Sequence, residues 1–152
     1  YAYTNFTQGA CHKPLRLVME QGVDMPCQPV MSEKVARQVL NMLETVISKE
    51  GTGSRAAVPG YRAGGKTGTA HKVGGSGYKD DVYTAVFSGV APVSDPDLVL
   101  VVVIDEPKGR EYYGGEVAAP VFSRIMEQAL RLRQVAPDDG SVKNLQMAGG
   151  PA

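Results

Sequence analysis

The string Gly64-Gly65-Lys66-Thr67-Gly68-Thr69-Ala70 sets one ammonium and two hydroxyls among three glycines. Two chemistries suit it. Gly60 through Thr67 satisfies the phosphate-loop pattern G-x-x-x-x-G-K-[ST], and Val101-Val102-Val103-Ile104-Asp105-Glu106 imitates the apolar strand whose terminal Asp holds magnesium in such sites. That mechanism needs a buried strand before the loop and a helix opening at the Lys, whose first amides hold the phosphates. The flanks argue against both. Ser54-Arg55-Ala56-Ala57-Val58-Pro59 lies upstream, and Gly68, Gly74, Gly75 and Gly77 follow; each glycine would cost a helix about 1 kcal/mol. Read instead as a strand, Lys66 and Gly68 point one way and Thr67 and Thr69 the other, with twist able to bring the polar heads to one cleft edge. A cation, two hydroxyls and free backbone amides along one strand suit a carboxylate-bearing peptide that adds as an extra strand.

The elements that must position this string are legible on both sides of it. Val35, Val39, Met42, Leu43, Val46 and Ile47 recur at helical spacing, with Ser32 as N-cap and Gly51 as stop. A loop of turn residues, Gly51 to Gly60, leads to three expected strands, 61–72, 82–93 and 98–105. Their short connections imply antiparallel hairpins. Leu98 to Ile104 does not alternate, which predicts a strand buried on both faces inside a helix-covered sheet. In a three-strand meander it would sit at a bare edge, so a further partner strand is expected from upstream of Tyr1. An amphipathic helix from Ala118 to about Arg133 would cover one face, and residues 138–152, without periodicity, read as a loose tail beyond a domain portion spanning 1–137.

Composition bounds the function. The 152 residues carry 16 Lys plus Arg against 16 Asp plus Glu, with no basic stripe, which gives no support to a nucleic-acid surface or a charged membrane face. The longest apolar run, Leu98 to Ile104, is far short of the roughly 18 to 20 residues of a membrane span. The chain opens on Tyr1 without an initiator Met or a helix start, as expected of a piece of something longer. Cys11 and Cys27 could close a disulfide loop or remain free thiols; they lack metal-site spacing.

Lys66-Thr67-Gly68-Thr69, then Phe87-Ser88-Gly89-Val90-Ala91-Pro92, Val101 to Pro107, Tyr112-Tyr113-Gly114-Gly115 and Ala119-Pro120-Val121-Phe122, together with Glu50-Gly51-Thr52-Gly53 and Pro59-Gly60-Tyr61, resemble in order and spacing the C-terminal part of the transpeptidase domain of class B penicillin-binding proteins, most of all their division-specific members. The resemblance runs from about Met31 to Pro137. It implies an α+β fold, an antiparallel sheet covered by helices on both faces as in penicillin-binding transpeptidases and serine β-lactamases, truncated at its N-terminal side.

The resemblance also implies a chemistry. In this family a Ser of an S-x-x-K motif is acylated by the penultimate D-Ala of a peptidoglycan stem, and an amine of a second stem then takes the acyl group; β-lactams imitate the D-Ala-D-Ala end. S-x-x-K occurs here at no sensible position and S-x-N at none, so the chain is expected to contribute half a site and to be inactive alone. By analogy Lys66 anchors the substrate carboxylate, Thr67 and Thr69 donate hydrogen bonds, Gly68 leaves room for the peptide, and the Thr69 backbone N–H is one arm of the oxyanion hole. Tyr83, Tyr112 and Tyr113 resemble aromatic pocket walls, with Gly114 and Gly115 turning the loop into the last helix; His71 reads as a surface residue. No metal or cofactor is implied. The implied partners are stem peptides, β-lactams and division membrane proteins at the periplasmic face of the inner membrane, at the septum. A β-lactamase or D,D-carboxypeptidase fragment and a non-catalytic interaction fragment are the alternatives.

Overall fold

The computed structural model describes residues 11–12, 28–74 and 77–140. Cys11–His12 (β1) and Gln28–Pro29 (β2) pair antiparallel. Whether Cys11 bonds Cys27 lies outside the described residues. Helix α1 spans Glu33–Thr45. It starts where capping chemistry predicts, with the Ser32 side chain accepting from the Val35 N–H at 3.3 Å. It ends six residues before Gly51. The Thr45 and Ser48 hydroxyls donate to the Met42 and Thr45 carbonyls, both at 2.7 Å, and the Gly53 N–H donates to the Val46 carbonyl, so the terminal carbonyls find partners outside the helix ladder.

Three strands form one antiparallel sheet in the order β3-β4-β5: Gly64–Gly74, Gly77–Ala91 and Leu98–Asp105. The third matches the sequence expectation. The first two run further toward their shared hairpin than expected, since pairing continues after a register shift at His71 as far as Gly74 opposite Gly77. Tyr61 stays outside the sheet. It bridges to Val58, and its hydroxyl donates to the Val135 carbonyl at 2.8 Å.

Alternation decides what covers each face. Phe87, Ala91 and Val102 face one side, where helix α3, Ala119–Leu132, lays Phe122, Met126 and Leu130 on them. The Phe87 and Phe122 rings, both fully buried, sit 4.8 Å apart at 56°. On the other side α1 packs Leu40 against Val90, Val93 and Val99. Gly64 permits this approach, because a Cβ there would lie 3.1 Å from that of Leu43. Helices therefore lie on both faces, as expected.

The α1 cover stops short, which corrects the expectation for β5. Val102 is buried, but Val101 and Val103 are 53% and 58% exposed. They lie level with Ser88 and Val86, beyond the rows that α1 reaches, and among the described residues β5 pairs only with β4. A run of valines fits a two-sided interior, but among the described residues nothing covers the second side at Val101 and Val103.

The chain after α3 returns to the sheet. The Asp138 carboxylate accepts from the Arg62 N–H at 2.6 Å and from the Ser94 hydroxyl at 2.6 Å, so the first residue assigned to a loose tail is tied to two loops. Arg133 at the end of α3 grips Asp97 in the β4–β5 turn through two bonds, at 2.6 and 3.0 Å. That guanidinium holds the Asp97 carboxyl below its ordinary value. A carboxyl lowered in the folded state stabilises above its unfolded pKa, about 3.9, and the contribution fades as pH falls through the lower folded value. Asp97→Asn should therefore flatten the decline of melting temperature below about pH 4 in the full-length protein that includes this chain. An unchanged acid limb would refute this.

Candidate functional site

Lys66 to Thr69 run inside β3, extended and paired with β4, and no helix opens at Lys66. The phosphate-loop alternative loses its geometry. The outer edge of β3 has no strand partner among the described residues.

One hydrogen bond fixes what that edge offers. The Glu106 N–H donates to the Tyr83 carbonyl at 3.0 Å, on the register that pairs Thr84 with Asp105. Bonded and non-bonded pairs alternate in an antiparallel ladder, so odd-numbered residues of β4 bond β5 and even-numbered ones bond β3. Since Lys66 pairs with Ser88 and Gly68 with Val86, their backbones bond inward. The N–H and C=O groups of Thr67 and Thr69 point outward. A row of this kind is what an added strand or a developing oxyanion would use.

The side chains follow the same alternation. Thr67 and Thr69 lie on the α3 side with Phe87 and Ala85, and Lys66 and Gly68 on the α1 side with Ser88 and Val86. The exposed Lys66 bends over the edge, its Nζ donating to the Thr67 carbonyl at 3.0 Å and to Thr67 Oγ1 at 3.3 Å. That brings ammonium and hydroxyl together through the reach of the lysine arm. Thr67 Oγ1 also lies 3.3 Å from Thr52 Oγ1. Thr69 Oγ1 accepts from the Gly114 N–H at 3.0 Å, so this hydroxyl, expected only as a substrate donor, also fastens the next loop.

That segment, 111–116, runs from a loop into the four-residue helix α2, Gly114–Val117. It is held at several points. Arg55 donates to Glu111 Oε2 at 3.1 Å and to the Glu116 carbonyl at 3.4 Å, bridging its two ends. His71, Tyr83, Tyr112 and Tyr113 form a continuous ring stack with centroids 4.2, 4.1 and 4.4 Å apart. His71 is exposed, as expected, yet it forms the outer end of that stack. The Tyr112 and Tyr113 hydroxyls lie 3.2 Å apart, and this neighbour, together with the nearby Glu116 charge, raises the Tyr113 pKa. Thr52, Thr67, Thr69, Tyr113, Gly114, Gly115 and Glu116 line a recess of about 310 Å³.

The structure thus brings Lys66, Thr67, Thr69, Tyr113 and Gly114 together, with Gly68 in the strand between them and Tyr83 and Tyr112 one ring removed. Sequence reasoning gave Thr52, Arg55 and Glu116 no role, and nothing local marks them, because their partners lie 15 to 61 residues away. Ser76-Gly77-Tyr78-Lys79 does spell S-x-x-K. Its Gly77, Tyr78 and Lys79 lie in strand β4 and not in a helical turn. Asp105 and Glu106 share Lys72 Nζ at 2.9 and 3.0 Å, a cross-strand tie that lowers both carboxyls.

Comparison with known proteins gives one answer. The model of the penicillin binding protein transpeptidase domain matches residues 2–127. Peptidoglycan D,D-transpeptidase FtsI of Buchnera aphidicola subsp. Baizongia pistaciae is 40% identical over 140 residues, covering 90% of this chain and 24% of that protein. FtsI of Escherichia coli K12 is 46% identical over 114 residues, covering 75% and 19%. The apo transpeptidase domain of Burkholderia pseudomallei penicillin-binding protein 3 is 41% identical with a TM-score of 0.80, covering 90% of this chain and 42% of that domain. The chain spans about a quarter of the length of the curated relatives it matches.

Proposed function

The chain belongs to the penicillin-binding protein transpeptidase domain family, and from that premise we propose that it supplies the substrate-strand side of a penicillin-sensitive peptidoglycan D,D-transpeptidase that cross-links stem peptides in septal wall synthesis. The observation that carries this is the edge of β3, where the Lys66 ammonium lies against Thr67 and the backbone groups of Thr67 and Thr69 face outward. A D-Ala-D-Ala end would lie along this edge as an added strand, its terminal carboxylate on Lys66 and the Thr67 hydroxyl. The penultimate carbonyl would then reach the Thr69 N–H, which stabilises the oxyanion as the serine attacks.

The serine of S-x-x-K and its lysine, with the serine of S-x-N, are assigned to a part of the protein beyond these 152 residues. That serine forms the acyl-enzyme as the terminal D-Ala leaves, and an amine of a second stem takes the acyl group and regenerates the hydroxyl. The same grip would hold a β-lactam carboxylate. Tyr83, Tyr112 and Tyr113 would flank the bound arm, with Gly114 keeping the loop against the strand. We place the parent protein at the periplasmic face of the inner membrane, among division membrane proteins, because the wall it would cross-link lies there.

Fluorescent penicillin followed by a denaturing gel tests the division of labour. The 152-residue chain alone should give no labelled band, and adding the upstream segment, covalently or as a second chain, should restore labelling. A labelled band from the chain alone would refute the absent nucleophile. Steady hydrolysis of penicillin by the completed protein would favour the β-lactamase alternative.

A further inference from the structure

The recess beside β3 carries a charge that the reading above does not use. Of its polar groups, the Thr52 and Thr67 hydroxyls lie within bonding distance of each other, Thr69 Oγ1 holds the Gly114 N–H, and the Tyr113 hydroxyl accepts from Tyr112. Glu116 differs. Its backbone carbonyl takes Arg55, but its carboxylate has no hydrogen bond or ion pair among the described residues. The Arg55 guanidinium makes its ion pair with the Glu111 carboxylate instead, at 3.1 Å. At the other end, the Lys66 ammonium bonds Thr67 Oγ1, a group of the same recess. The site therefore offers a cation where a carboxylate would dock and, in the residues lining the recess beside it, a carboxylate without an ion pair among the described residues.

We propose that Glu116 is a specificity-determining residue that selects ligands whose side arm carries a primary ammonium. This rests on the transpeptidase reading, in which the carboxylate end occupies β3 and an arm lies against Tyr113. Such an arm would set its ammonium beside Glu116, with the Tyr113 ring as a wall and the hydroxyls of Thr52 and Tyr113 as further acceptors. The recess is open to water, so the pair is worth that of an exposed ion pair, about two- to fivefold in affinity. It is a preference between ligands and leaves the chemistry of acylation untouched.

Benzylpenicillin and ampicillin differ by one amino group and make the matched pair. Their acylation rate constants would be measured on the full-length protein by competition with fluorescent penicillin, near pH 6 so that the amine is mostly charged. The expected result is that Glu116→Gln lowers the ampicillin-to-benzylpenicillin ratio about two- to fivefold and leaves the benzylpenicillin rate unchanged. Glu116→Asp should keep most of the preference, and about 0.5 M salt should erase it in the parent. An unchanged ratio in Glu116→Gln, or a fall in both rates together, overturns the assignment. If the unaltered protein is acylated by neither penicillin, the transpeptidase reading itself fails, and this inference with it.

Discussion

Lys66→Ala, made in the full-length protein that includes this chain, is expected to slow acylation by benzylpenicillin about 10- to 100-fold while moving the melting temperature by no more than about two degrees. Both halves follow from where Lys66 sits. Among the described residues its Nζ bonds only the Thr67 carbonyl and hydroxyl, and the side chain is exposed, so the described core does not depend on it. Hydrogen bonds to charged groups contribute roughly 1.5 to 3 kcal/mol, about a factor of 10 to 150 in binding or in the barrier. Lys66→Arg should recover less than about tenfold of the loss. Its planar fork cannot bend over the strand edge as a point charge does to meet the Thr67 hydroxyl and a carboxylate together. Acylation of Lys66→Ala at the parent rate would sink the carboxylate-grip assignment. A large fall in melting temperature would show that Lys66 serves the fold.

What the sequence made legible divides by the range of the forces involved. The Ser32 cap and the helical periodicity are local, and α1 starts where they say. Lys66 to Thr69 read as strand because four nearby glycines make a helix costly, and strand they are. Other features depend on what packs from a distance. The β5 valines look doubly buried by composition, yet burial of Val101 and Val103 depends on a cover that α1 does not provide. The helix stop at Thr45 depends on hydroxyls that capture carbonyls, which in sequence alone compete with the equally plausible Gly51. In the recess, the residues quoted for their resemblance do converge. Arg55 and Glu116 remained invisible because a pairing across 56 or 61 residues leaves no periodicity to read.

Gly114 shows how a backbone contact can carry more of a site than a named side chain, and it supports the other large prediction. In sequence the glycine singled out for a close approach is Gly68. A Cβ on Gly68, however, would meet only the Val86 Cβ at 3.6 Å, an ordinary contact. On Gly114 it would lie 2.3 Å from the Val86 carbonyl oxygen and 2.5 Å from that of Gly68. Both obstacles are backbone within the sheet, so the loop must yield. It would lift from β3 by the better part of an ångström, stretching the Gly114 N–H bond to Thr69 and moving Tyr113 with it. A misplacement of about 1 Å can cost on the order of 100-fold in rate. Gly114→Ala in the full-length protein should therefore reduce acylation by benzylpenicillin about 100-fold, and the strain should lower stability by about 1 to 3 kcal/mol. Gly68→Ala should stay within about fivefold of the parent rate, because a methyl group in ordinary contact displaces nothing. Two rate constants and two melting curves decide the matter. Equal damage from the two substitutions would mean that the peptide needs the Gly68 position empty, whereas a harmless Gly114→Ala would mean that the loop does not set the site.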